Sequence, residues 1–425
     1  MQFDVGLSRQ TLFLHAGPCP VAILTPNVAV VPLPRFFSRS RGQIIRISPT
    51  SLAAGLLLVA CCADATGQES KLDWFGDLRL RLEQDWDSLQ GDGTSRDDRL
   101  RMRFRLRGGF DYDFTDHWRA HVQARSGPKL SQQSPHVTIK DFDGGSSGPY
   151  EFNLDHWYVE YANGGFEAWA GRNILSFLHQ DDLFIFDNVT YAGVGGSYTK
   201  DFDDHSWYLS FNYVALPVGM REFVGNGTIG QVAYQKRFGE SALTVGVGYM
   251  LTNADPDDPA GETLLTGNNA RDYSELSLQL QYRTAFRGTP VLLGLDVMHN
   301  AEPYGDAPPG SFTAFHKDDD TGYVIEMLYG GKEPGDWQFG YFYSHIEALA
   351  AHSSYTQDDW VRWGNANQVR ATNIRGSELR VLYTMRENLN VFARLFFVDA
   401  IDLLEPGDTT KETGNRFRIE VNWSF

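Results

Sequence analysis

An all-β fold is predicted for residues 66–425: a transmembrane, antiparallel, up-and-down β-barrel of about 16 strands, within a range of roughly 14 to 18. Three observations predict it. Apolar and polar residues alternate with a period of two along most of the chain. No stretch approaches the ~20 consecutive apolar residues of a membrane-spanning helix, whereas a barrel strand needs only ~10 alternating ones. Tight turns take turns with long polar connections, as they do when loops gather at one end of a barrel.

The alternation is clearest at 100–107 (LRMRFRLR), where every even residue is apolar and every odd one is Arg; Phe110, Tyr112 and Phe114 keep the phase, with Asp111 and Asp113 between them. On a helix this spacing would scatter apolar groups around the circumference, but on a strand it separates an apolar from a charged face. A soluble sandwich also alternates, with shorter strands facing a second sheet. The pattern recurs at 77–83, 118–125, 157–161, 207–213, 243–249, 276–282, 291–297, 323–327, 337–341 and 379–383, and more weakly near 166–172, 189–198, 229–238 and 389–397. With the C-terminal segment the count comes to about 16, even because both chain ends should lie on one side.

Trp118, Trp157, Trp207, Tyr249, Tyr282 and Trp337 stand at the ends of these segments, where an aromatic girdle meets lipid headgroups. Segments 114–118, 236–241 and 385–388 read as tight periplasmic turns. Segments 127–151, 172–188, 252–272, 299–321, 346–372 and 399–414 are rich in Gly, Asp, Pro and Asn and read as extracellular loops. The acidic runs 255–258 and 318–320 read as solvated loop acids, without the ligand spacing of a calcium loop. No metal or other cofactor is expected.

The net charge is −17, and the first 65 residues carry five Arg against Asp4 and Asp64, which leaves the remainder near −20. Such acidity argues against a nucleic-acid partner. The three cysteines, Cys19, Cys61 and Cys62, all lie in the first 62 residues, so the barrel has neither a disulfide framework nor a thiolate site. Arg39, Arg41 and Arg46 precede the apolar run 52–60, and Ala63-Asp64-Ala65 has the small-x-small form of a signal-peptidase site. Residues 1–65 therefore read as an N-terminal extension plus a Sec signal cleaved after Ala65. Leu58-Val-Ala-Cys61 offers a rival processing site, the lipobox of a lipoprotein, which would place a lipid on Cys61.

In 416–425 (RFRIEVNWSF), Phe417, Ile419, Val421, Trp423 and Phe425 share a face and the chain ends on Phe. This ending resembles the C-terminal signature strand of outer-membrane proteins. The resemblance implies recognition by the barrel-assembly machinery after escort by periplasmic chaperones. Residues 78–125, with the Arg-rich strand 98–107 (DRLRMRFRLR), then 154–161 (LDHWYVEY), 168–173 (AWAGRN), 180–187 (QDDLFIFD) and 192–198 (AGVGGSY), resemble the porin family of bacterial outer-membrane proteins. In outline they also resemble the alginate-export barrels, with Gly-Arg-Asn where a fuller Gly-Arg-Gln motif would stand. The resemblance implies a barrel among outer-membrane lipids and lipopolysaccharide, passing small hydrophilic solutes, anionic ones among them, by passive diffusion; the alternative is a passage for an acidic polysaccharide. Trimerisation is compatible with the pattern, which offers no interface signature.

If the even residues of 100–106 face lipid, Arg101, Arg103, Arg105 and Arg107 face the lumen, and Arg79, Arg81, Arg119 and Arg125 extend that basic wall. Lumen arginines can attract anions, or can brace the wall by pairing with acids; both roles remain open. Asp181, Asp182 and Asp187 belong to a mixed acidic and aromatic loop that is expected to fold inward as a constriction opposite the arginines. An enzymatic barrel is the reading from another class. It would need a nucleophile beside one of the histidines, and no such motif is found.

Overall fold

The computed structural model describes residues 71–145, 147–254, 271–362 and 371–425. The leader, Cys61 and the acidic run 255–258 lie outside the described residues. Sixteen strands form the barrel: β1 (Lys71–Trp86), β2 (Arg99–Asp113), β3 (Trp118–Ser126), β4 (Phe152–Asn163), β5 (Phe166–Asn173), β6 (Tyr191–Asp201), β7 (His205–Val218) and β8 (Glu222–Phe238), then β9 (Ser241–Asn253), β10 (Tyr273–Phe286), β11 (Thr289–Asn300), β12 (Thr321–Gly330), β13 (Trp337–Ile346), β14 (Ile374–Arg386), β15 (Leu389–Ala400) and β16 (Thr413–Ser424). Each is antiparallel to its sequence neighbour. The ring closes where β16 pairs with β1, from Asp77↔Ser424 to Trp86↔Asn415. Closure removes the free sheet edges, which hydrocarbon cannot hydrate.

The side-chain period decides which face meets lipid. Leu80, Leu82 and Met102 point outward and are exposed, whereas Arg81, between the two leucines, and Arg105 on the next strand are buried inside. The opposite phase would place each Arg in hydrocarbon at a cost of ~2–4 kcal/mol near the midplane. The outward residues of β16 continue this surface: Phe417, Ile419, Val421, Trp423 and Phe425 are all more than a third exposed. Phe425 completes the closure, exchanging two backbone hydrogen bonds of 2.9 Å with Gly76. A side chain at Gly76 would collide with the Phe425 ring, whose Cζ lies 2.5 Å from where a Cβ would stand.

The tight connections gather at one end. There the outward aromatics form contacts between strands, with ring centroids 5.1 Å apart for Trp118 and Tyr161, 4.8 Å for Trp207 and Tyr234, and 4.7 Å for Trp337 and Tyr383. Trp157 departs from the girdle expected for it, because β4 starts at Phe152 and leaves Trp157 in mid-strand. At the opposite end the connections are long, except that β7 and β8 are joined by 219–221 alone. A short strand, Val137–Asp141, leaves the β3–β4 connection to pair with β2 between Arg101 and Phe104.

Three of the long connections turn back into the barrel. Residues 128–136, 174–190 and 347–362 are largely buried and bonded to one another. Phe186 N–H donates to the Tyr355 carbonyl at 3.0 Å; the Gln132 amide donates to Ser354 O at 2.9 Å, and that of Gln133 to Ser353 O and Thr356 O at 3.0 Å. The inner wall makes room with glycines. A Cβ at Gly248 would lie 2.5 Å from Phe177, and one at Gly294 2.4 Å from the Gln180 amide oxygen. The hydrophobic core of the molecule therefore lies inside the barrel, where Leu183, Phe184 and Phe186 pack with Leu216, Ile229, Phe342 and Trp360.

Candidate functional site

Strand register assembles a basic wall from both ends of the chain. Arg394 on β15 is level with Arg418 on β16, and Arg418 with Glu83 on β1, which faces Arg101 on β2. Adjacent rungs hold Glu420, Arg81 and Arg103 on one side and Arg416, Asp85 and Arg99 on the other. Glu83 is the hub: its Oε2 lies 2.6 Å from Arg418 Nε, and its Oε1 lies 3.7 Å from Arg103 and in short contact with Arg101. Asp85 joins Arg99 at 2.9 Å and also Arg416.

The eight arginines expected on this wall divide into groups. Arg81, Arg101 and Arg103 converge on Glu83, with Arg81 also 2.6 Å from Glu420. Arg105 and Arg107 share Asp77 at 2.7 and 2.6 Å. Arg79 reaches Asn422 at 2.6 Å and Glu420 at 3.2 Å. Arg119 sits at the turn end against Asp113, its side chain 46% exposed. Arg125 is fully buried and serves the loops, donating to the carbonyls of Asn188 and Ser131 at 2.8 Å and of Gln132 at 3.0 Å.

Sequence reading missed Arg380, Arg394, Arg416 and Arg418. For the last two the signal was present, since Phe417 and Ile419 facing outward turn Arg416 and Arg418 inward. Arg380 and Arg394 stand between apolar residues in the same way. Arg394 meets Glu378 at 2.5 Å, and the Arg380 guanidinium lies 3.6 Å over the Phe342 ring.

Asp181, Asp182 and Asp187 do enter the lumen, but no ion pair links them to an arginine among the described residues. Their loop rests on β8 to β12, where Gln231 brackets Leu178 with two 2.8 Å bonds and Gln180 donates to Asp296 at 2.7 Å. Asp359 is the loop acid that meets the basic wall. It contacts Arg394 at 2.7 Å, Arg81 at 3.5 Å, and Arg418 more closely still. Nothing in the sequence marked it, because it lies in a polar connection without periodicity.

The two loops hold charge differently. Burial opposes the charge on Asp359, yet Arg418, Arg81 and Arg394 keep its carboxyl well below the usual range. Burial and Asp296 push Asp181 up to about 8, and burial and Asp187 push Asp182 up to about 7. Burial alone would lower His179, but its pairing with Asp187 at 3.2 Å raises it to about 10. The same pairing outweighs burial to hold Asp187 below the usual range. His179, Asp182 and Asp187 bring ligand atoms within 4.8 Å of one another and are the group that could hold a metal ion among the described residues. Protonated His179 supplies positive charge there.

This closed barrel with an arginine wall matches a family model described as Gram-negative porin over residues 50–415. OprB of Pseudomonas putida has a TM-score of 0.50 at 13% identity, covering 88% of this chain and 97% of that one. The anion-selective porin of Comamonas acidovorans has a TM-score of 0.45 at 14% identity (84% and 100% covered). The trimer form of OmpT from Vibrio cholerae has 0.46 at 11% identity, with the same coverage. No curated protein matches. The chain belongs to the Gram-negative porin family, as an outer-membrane β-barrel channel.

Proposed function

We propose that this channel passes small hydrophilic solutes by passive diffusion and prefers anions. One observation carries the reading. Between the levels of Asp85 and Asp77 the wall of β14, β15, β16, β1 and β2 points eleven arginines inward (79, 81, 99, 101, 103, 105, 107, 380, 394, 416 and 418). Only five strand acids face them there, Asp77, Glu83, Asp85, Glu378 and Glu420. Opposite stand Glu326, Asp296, which accepts from Gln180 at 2.7 Å, and the loop acids Asp181 and Asp182, whose carboxyls burial pushes up to about 8 and about 7. A transverse field therefore spans the lumen, with its cationic side in excess.

Arg79, Arg107 and Arg119 are the accessible arginines toward the turn end, with side chains 21%, 26% and 46% exposed. They give an arriving anion its first contacts from the turn side, while the inner arginines set the field. A polysaccharide passage is disfavoured by the three inward loops, which a bulky polymer would have to displace together. No catalytic step is assigned to the histidine–aspartate pairs. The outward face of β16, ending at Phe425, serves assembly in this reading. Assembly of copies of the chain into a trimer belongs to the same reading.

Planar-bilayer recording in a potassium chloride gradient tests the preference. The zero-current potential should lie toward the chloride equilibrium potential. A potential on the potassium side would discard the anion reading and leave the channel standing.

A further inference from the structure

Asp359 has a position that no strand acid shares. It reaches the basic wall from a loop, and its carboxylate is gripped from several sides. Arg394 Nη1 donates to its Oδ2 at 2.7 Å, Arg81 Nη1 lies 3.5 Å from its Oδ1, and Arg418 contacts the same oxygen. Both carboxylate oxygens are engaged, the geometry in which guanidinium groups recognise a free carboxylate. Arg81 is 1% exposed; its Nε faces Glu420 at 2.6 Å, and its Nη2 has no hydrogen-bond partner. The pocket thus keeps donor capacity that Asp359 does not use.

The attachment of this acid also differs. Glu83, Glu420 and Glu378 are fixed by strand ladders that cannot move without opening the barrel. The loop around Asp359 has few other ties to the wall, the Asp359 carbonyl accepting from Arg416 and Arg362 Nε lying 3.7 Å from Asp85, and it is joined to the other inward loops by neutral hydrogen bonds from Gln132 and Gln133 to its carbonyls. Each such bond contributes only ~1 kcal/mol net. Removing Asp359 without replacement would strand buried positive charge, a much larger cost. A solute carboxylate removes that cost, because it exchanges like for like. A neutral solute or a cation does not.

We propose that Arg81, Arg394 and Arg418 form a binding site for small carboxylates, which Asp359 fills when no solute is present. A solute carboxylate displaces Asp359 and frees the segment around 352–362 from the basic wall. The proposal rests on the reading that anions travel along this wall, and it adds their chemical class and a solute-dependent release of the loop. Trp360 reports the release, since its ring is buried beside Asp359 and lies edge-on to Phe396 at 5.7 Å.

The test uses the full folded chain in detergent and in bilayers, with succinate as probe and succinamide as its uncharged match. Calorimetry should show saturable binding of succinate and none of succinamide. Asp359→Asn, which removes the internal competitor and keeps every arginine, should bind succinate about tenfold more tightly or better. Wild-type tryptophan emission should change with succinate, and that change should vanish in Trp360→Phe, a variant that still binds succinate. Equal responses to the two probes, or an Asp359→Asn affinity no higher than wild type, would overturn the site. Anion preference in bilayers alongside those negative results would leave the channel reading intact. Succinate binding without anion preference would do the reverse, keeping the site and removing its role in permeation.

Discussion

The two walls of the lumen carry buried charge by opposite means. On β14 to β2 opposite charges pair across strands: Glu83 gathers Arg101, Arg103 and Arg418, and Asp77 holds Arg105 and Arg107. On β10 to β12 acids meet acids, and the inward loop relieves them with the Gln180 amide, the His179 cation and protons retained on Asp181 and Asp182. An ion-pair lattice is insensitive to pH near neutrality and unforgiving of charge reversal. A proton-sharing cluster has the reverse properties. The difference teaches that one barrel can keep a permanent field on one side and an adjustable one on the other.

Reversing charge on the lattice should have the largest effect. Arg103→Glu combined with Arg105→Glu replaces two cations with two anions beside Glu83 and Asp77. The zero-current potential is expected to cross from the chloride to the potassium side; an unmoved potential would remove these residues from selectivity. A lower yield of heat-modifiable, folded barrel is expected as well, since an unpaired buried charge costs several kcal/mol.

The adjustable side predicts a smaller effect that follows pH. Asp182, held at about 7, and Asp181, at about 8, ionise as pH rises from 6 to 9, while His179, raised to about 10, keeps its proton through most of that span. The acidic side therefore gains negative charge, and anion preference should fall with rising pH. The sign for stability agrees: carboxyls raised by folding contribute most below their unfolded pKa, and that contribution is lost as pH rises through 7 to 8. Asp182→Asn should flatten the pH profile of the zero-current potential without moving its acid limit. A profile as steep as wild type would place the titration elsewhere.

The smallest effect is expected at the rim. Arg119 and Asp113 form a half-exposed pair at the turn end, and such pairs contribute ~0–1 kcal/mol. Arg119→Gln should leave folding unchanged and shift selectivity only slightly, most visibly at low salt, where screening is weakest. A shift as large as that of the double charge reversal would overturn the division between inner lattice and outer rim.

Much of the barrel was legible in the sequence, even where single segments were weak: residues 166–172, 189–198, 229–238 and 389–397 all lie in or overlap strands. Trp157 misled, because a β-bulge breaks the register between Gln123 and Ala124 and leaves the alternation of Phe152, Asn153, Leu154 and Asp155 out of phase with that of 157–161. The candidate site was legible by halves. Its arginines could be assigned to the lumen, but the partners of those arginines could not.

What the sequence determined by itself is the face on which each strand residue lies. Side-chain alternation is a property of a few consecutive residues, and the cost of arginine in lipid leaves one phase. The tertiary structure decided which charges meet. Glu83 finds Arg418 only because β16 closes against β1, more than three hundred residues away in the chain. Asp359 finds Arg81, Arg394 and Arg418 only because a connection with no periodic pattern folds back into the lumen. Contacts of that kind depend on closure and packing, which no local period records.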